Sequence, residues 1–352
     1  MLPSRPAAAL ALATALGGCA GAGSPATAER PPGHGEDAVF TRDSPLASGR
    51  EMARRTLTPL TWFHAQRTLA ERSQALVERP VDLARERFSV YVPGGAPPAE
   101  GWGLLVFVPP WDEPTRPRRW RGALDRHALV FVAAERSGND AAILDRRLPL
   151  ALLAWENARA RWPIDPRRVY VGGFSGGSRV AQIAALAYPD VFRGALLHAG
   201  SDPIDGSRGT YIPPADLFRA FQNTPLVYVT GDRDEVNLRD DEVSRASMRE
   251  RCVLDLRIVT PHKLAHEALD PGSLDRALDA LERPPAVEAG ERERCRARLE
   301  REVSSRLSDV EADVGRGDRA AALARIKAAD AEFGGLAAPA IVELERRRLA
   351  LP

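Results

Sequence analysis

The chain has 352 residues, 44% of them hydrophobic, which is enough to bury the core of one large α/β domain with extensions. Its 49 Lys and Arg nearly balance 48 Asp and Glu. The resulting net charge of +1 lacks the broad positive field of a nucleic-acid binder, and no nucleic-acid partner is expected.

In chain order, residues 1–18 come first. They carry one early base, Arg5, and then a small-residue apolar run of about a dozen positions, the length of a signal-peptide core and too short to span a bilayer. The run ends in Leu16-Gly17-Gly18-Cys19, which resembles a bacterial lipoprotein signal. Cys19 is therefore expected to be lipidated and to anchor the chain to a membrane, a plain secretory signal being the alternative. Ala20 and Gly21 supply no acidic inner-membrane retention signal, so the expected location is the outer membrane facing the periplasm, or secreted. Residues 19–50, rich in Gly, Pro, Ala and charge, read as a flexible tether. A helical extension follows from residue 51, interrupted at Pro59 and closed before Pro80.

The central region alternates strand and helix signals. Residues 87–93 alternate and suit an antiparallel edge strand, whereas 103–110 and 128–135 are the nearly continuous apolar runs of strands buried on both faces. A helix over 148–162, a strand over 168–174 and a helix from Ser178 come next, followed by strands over 194–200, 225–231 and 254–261 and a helix over 273–282. This alternation predicts a three-layer α/β sandwich around a mostly parallel sheet, spanning residues 51–284 with its N-terminal extension. Residues 285–352 change to a small all-helical appendage, with Cys295, Leu299, Val303, Leu307, Val310 and Val314 on one stripe. Gly315 to Asp318 reads as a turn, and Pro339 suits the first turn of a last helix. The appendage is expected to pack on the main domain and to offer the surface for any protein partner. Cys252 and Cys295 either pair in an oxidising compartment or leave Cys295 as a buried free thiol.

The chemistry concentrates at Gly173-Phe174-Ser175-Gly176-Gly177, a G-x-S-x-G motif between a strand and a helix. A serine on so sharp a turn exposes its hydroxyl above the helix N-terminus, and the flanking glycines remove Cβ atoms that would collide there. Neither the dinucleotide pattern nor a P-loop lysine accompanies it. A serine nucleophile needs a base and a group to orient that base, and where the serine sits on a G-x-S-x-G elbow between strand and helix these follow it in the chain order Ser, acid, His. Asp234 is the preferred acid, with Asp232 in reserve and Asp202 weaker. Of the two histidines beyond it, His266 is preferred as base over His262, while His198 caps or packs near the site. Expected oxyanion donors are the N–H of Gly176 and that of Trp111, because Pro109 and Pro110 have no amide hydrogen. Trp111 also suits a pocket wall, and Trp102 and Trp120 suit either pocket lining or ordinary packing.

Trp162 to Ala181, with an Asp-Pro-x-Arg-Val-Tyr lead into the serine, together with Thr230 to Asp234 and Ala265 to Leu269, resembles the α/β-hydrolase superfamily. Within it, the likeness is to secreted esterases of the polyhydroxybutyrate-depolymerase and feruloyl-esterase type, over roughly residues 85–283. The resemblance implies an acyl-enzyme on Ser175 and no metal or cofactor, with a small-molecule or polymeric ester as substrate. Where such esterases carry His-Gly after the third strand, this chain has Pro109-Pro110. A peptidase or thioesterase on the same three residues, and an inactive lipoprotein of this fold that binds a partner, are the competing readings.

Overall fold

The computed structural model describes residues 36–115 and 118–351. The signal segment and Cys19 lie outside the described residues. The second half of the expected tether belongs to the fold. Strand β1 (Glu36–Ala38) pairs antiparallel with β2 (Phe88–Tyr91), Phe40 is buried with its ring 4.7 Å from that of Phe88, and the amides of Thr41 and Arg42 donate to Asn157 Oδ1. A three-residue strand held by its backbone leaves no apolar period to read. Helices α1 (Gly49–Thr56) and α2 (Pro59–Glu71) are capped by Ser48 and Thr58, and α2 ends well before Pro80.

Strands β3 (Trp102–Val108), β4 (Leu129–Ala134), β6 (Gly194–His198) and β7 (Leu226–Val229) are buried at every position, the reason each reads as an unbroken apolar run. With β5 (Ile164–Phe174) and β8 (Leu256–Val259) they complete an eight-stranded sheet in the order β1-β2-β4-β3-β5-β6-β7-β8. β2 is antiparallel, as its alternation suggests, but it is not the edge: β1 lies outside it. All pairings from β4 through β8 are parallel.

Parallel neighbours require crossovers, and helices supply them: α3 (Arg121–Arg126), α4 (Leu148–Arg161), α5 (Gly176–Ala187), α6 (Ala215–Phe221) and α7 (Glu235–Glu250), with α8 (Pro271–Glu282) after the last strand. The two-residue period of β3 sorts its side chains between two cores. Leu104 and Val106 pack with Leu150, Leu153 and Val180 of α4 and α5; Leu105 and Phe107 pack with Leu124, Leu274 and Leu278 of α3 and α8.

A third core joins the two ends of the chain. Leu60 of α2 packs among Leu299, Val303 and Val310 of α9 (Ala289–Gly315), Ile326 and Phe333 of α10 (Arg319–Phe333), and Ile341 and Leu344 of α11 (Ala340–Leu349). Thr58 Oγ1 donates to Asp330 Oδ2 at 2.8 Å across this contact. Cys252 and Cys295 form a disulfide, so the second cysteine both lies on the helical stripe and is paired. Among the described residues no helix is long and apolar enough to cross a membrane.

Candidate active site

β5 ends at Phe174 and α5 begins at Gly176, leaving Ser175 as the entire turn. Its backbone sits at φ +54°, ψ −123°, a region that costs a residue with a side chain about 1–3 kcal/mol and persists only where the surroundings enforce it. The neighbours do enforce it. A Cβ on Gly173 would strike the backbone of Gly177, and one on Gly177 would strike the carbonyl of Val108. Strand, helix and the loop after β3 therefore close to a distance that only glycine permits, and the serine hydroxyl stands at the sheet's C-terminal edge.

There it meets an imidazole. His266 Nε2 lies 3.0 Å from Ser175 Oγ, and His266 Nδ1 lies 2.7 Å from Asp234 Oδ2. Asp234 is the N-cap of α7 and is buried, 7% exposed, while the His266 side chain is 44% exposed and open to an incoming molecule. Burial alone would raise the Asp234 carboxyl, but hydrogen bonds from His266 and Asn237 outweigh it and hold the group below the usual carboxylate range. The carboxylate is thus ionised, and it favours the imidazole tautomer with its proton on Nδ1, leaving Nε2 free to take one from Ser175.

Strand order, an elbow serine after β5, an acid after β7 and a histidine after β8 occur together here. The chain has the α/β-hydrolase fold. No protein-family model matches it. A 45-residue stretch is 49% identical to poly(3-hydroxyalkanoate) depolymerase C of Paucimonas lemoignei, covering 13% of this chain and 11% of that protein, so the likeness is to a small part of the relative's length. Solved structures that overlay include a ferulic acid esterase (14% identity, TM-score 0.43, 55% of this chain and 89% of that one). Est1E from Butyrivibrio proteoclasticus (15%, 0.40, 56% and 92%) and esterase Est2 of Thermogutta terrifontis (17%, 0.41, 56% and 86%) overlay similarly. At TM-scores under 0.5 these overlays add nothing to what the strand order and elbow establish.

Within the hydrolase fold, the reserve residues are occupied elsewhere. His262 Nδ1 pairs with Asp232 Oδ2 at 2.7 Å, with the histidine side chain 77% exposed, so the two second choices find each other on the surface. Asp202 is held by Arg179 and Arg208. His198, at the end of β6, is buried against Phe174 at 4.5 Å between ring centroids, with Nδ1 2.8 Å from the Val229 carbonyl and Nε2 2.9 Å from that of Glu267. Two carbonyl partners favour the charged ring, yet burial prevails and pushes its pKa down to about 4. A neutral ring has one N–H, so it donates to one carbonyl at a time. With its proton on Nε2 it donates to Glu267 and braces the segment that carries His266, and with its proton on Nδ1 it braces the end of β7.

Asn237 escaped the sequence reading. Its Nδ2 donates to both oxygens of Asp234, at 2.9 and 3.0 Å, and so fixes the carboxylate plane that His266 uses. The available signal was its place three residues beyond a helix N-cap aspartate, on the face that turns back toward the cap.

A cavity of about 250 Å³ is lined by Trp111, Thr115, Arg119, Trp120 and Leu269, the last of these lying three residues beyond His266, and Trp111 has its ring 6.0 Å from that of Phe174 next to the elbow serine. Both indole N–H groups are spent, on Thr115 Oγ1 and the Leu269 carbonyl, so the tryptophans offer flat apolar walls. Trp102 instead is core. Among the described residues no cluster of three His, Cys, Asp or Glu is arranged to hold a metal ion.

Proposed function

We propose that the protein is a serine hydrolase acting on carboxylic esters. The observation that carries this reading is the continuous chain of contacts from Ser175 Oγ through His266 to Asp234 on a strained elbow. Ser175 Oγ attacks the ester carbonyl carbon as its proton passes to His266 Nε2. The tetrahedral oxyanion accepts a hydrogen bond from the Gly176 amide. Collapse expels the alcohol, protonated by His266, and leaves an acyl-enzyme. Water then repeats the steps with His266 as base, releasing the acid. Asp234 holds the imidazole and stabilises its charged form throughout. The small aromatic cavity suits an apolar substituent of the ester, below the roughly 300–1,000 Å³ of sites that enclose whole drug-sized ligands.

A fluorophosphonate probe is expected to label the purified protein and not Ser175→Ala, and short p-nitrophenyl esters to be turned over in preference to peptide and thioester substrates. A folded wild type that stays unlabelled and inert would move the protein to the binding class.

We infer further that the enzyme works from the outer membrane, tethered by lipidated Cys19, on the strength of the Leu16-Gly17-Gly18-Cys19 sequence. Cys19→Ser should shift the protein from the membrane to the soluble fraction. An unchanged distribution would reject the anchor.

A further inference from the structure

The loop after β3 begins with two prolines, and so lacks two of the backbone donors that would otherwise face an oxyanion. It is nevertheless hydrogen-bonded at several points to a second loop, the one after β4. Arg136 N donates to the Asp112 carbonyl at 2.8 Å, Gly138 N to Asp112 Oδ1 at 2.8 Å, and Asn139 N to the Pro110 carbonyl at 3.1 Å. Buried Arg147 bolts the two together, donating to the carbonyls of Ser137 and Pro109 at 2.9 Å each. Desolvation of a guanidinium is costly, so this arrangement is retained against a penalty.

What the second loop delivers is one carboxamide. The side chain of Asn139 lies over Gly176, so close that a Cβ at position 176 would collide with its Oδ1. Gly176 is thus glycine to make room for that amide as well as to start the helix. Asn139 is solvent-exposed and its side chain has no hydrogen-bond partner among the described residues, while its backbone N–H is held by the Pro110 carbonyl. Oδ1 is the amide atom nearest Gly176 and Nδ2 stands behind it, so a half-turn about the terminal bond, which no hydrogen bond opposes, brings two unspent N–H donors to the residue that follows the nucleophile.

We propose that Asn139 is a catalytic residue, its side-chain amide donating to the oxyanion in the place left by the proline-bearing loop. This rests on the reading of Ser175 as nucleophile. No covalent step is added: the amide hydrogen-bonds the carbonyl oxygen of the ester as it becomes an alkoxide, beside the Gly176 N–H, and releases it when the carbonyl re-forms. A neutral donor aimed at developing charge acts on the transition state more than on bound substrate, so its loss is read in kcat.

The test compares Asn139→Ala and Asn139→Asp with wild type on p-nitrophenyl butyrate, with thermal melts to establish folding. Asn139→Ala is expected to lower kcat about 100- to 1,000-fold with KM nearly constant. Asn139→Asp keeps the shape but turns a donor into a negative acceptor, and should lose more than the alanine variant. Affinity for a trifluoromethyl ketone, which forms the oxyanion on Ser175, should fall in parallel with kcat across the series. Alanine and aspartate variants within threefold of wild type in kcat, or a loss confined to KM, would overturn the role of Asn139 while leaving the esterase reading intact. A wild type that neither turns over the ester nor binds the ketone would overturn both.

Discussion

At the scale of single residues, the site depends on a carboxylate kept charged in a buried place. Asp234 stays below the usual carboxylate range because His266 and Asn237 together outweigh its burial. Its contribution is present above the pKa of an ordinary aspartate and is lost as pH falls through the depressed value. Asn237→Ala removes one of the two supports, so the Asp234 pKa should rise and the acid-side loss of the stability it contributes should move to higher pH. Loosening the carboxylate should also lower kcat/KM by roughly 10- to 100-fold at neutral pH. Thermal melts across pH check the first and ester turnover checks the second, and an acid-side melting profile unmoved in the variant would mean that Asn237 is only a helix-capping neighbour. Ser175, Asp234 and His266 were legible because chain order and loop position constrain them jointly. The places of Asn237 and Asn139 were not, because each is brought there by a contact that only the fold supplies: one across a helix turn, the other through two loops that are 30 residues from the elbow or more.

Among elements, those buried on both faces were plain in the sequence, since β3, β4, β6 and β7 need apolar side chains at every position. Elements held by backbone or by a distant partner were not. β1 is three residues in a polar segment, and it displaced β2 from the sheet edge. Of the two readings of Cys295, the disulfide with Cys252 holds and the free thiol does not, although the residue also lies on the helix stripe that packs there. The C-terminal helices pack around Leu60 of α2 and are cross-linked to the sheet domain through Cys252. Leu60→Ala in α2 should therefore destabilise the protein by about 2–5 kcal/mol, as buried leucine truncations do. A chain ended at residue 284 should melt lower still, because it exposes Leu60 and loses the disulfide. Denaturant titration of both forms checks this, and a truncated chain as stable as the full one would show that α9 to α11 lend nothing to α2.

Across the whole molecule, the sheet divides labour along its strands. Their C-terminal edge carries the strained serine, its histidine and its acid, while two separate cores hold the layers above and below. The third core belongs to neither layer, and it ties Thr58 to Asp330 over a separation of 272 residues. That span has a meaning in time. A ribosome adding about 5–20 residues per second takes on the order of 15–50 s to cover it. For that interval a newly made α2 presents its apolar side with nothing to cover it, long after local helix formation is complete. Nascent chains of this protein should thus rely on a holding chaperone at their leading end, and release from it should await synthesis of the final helix.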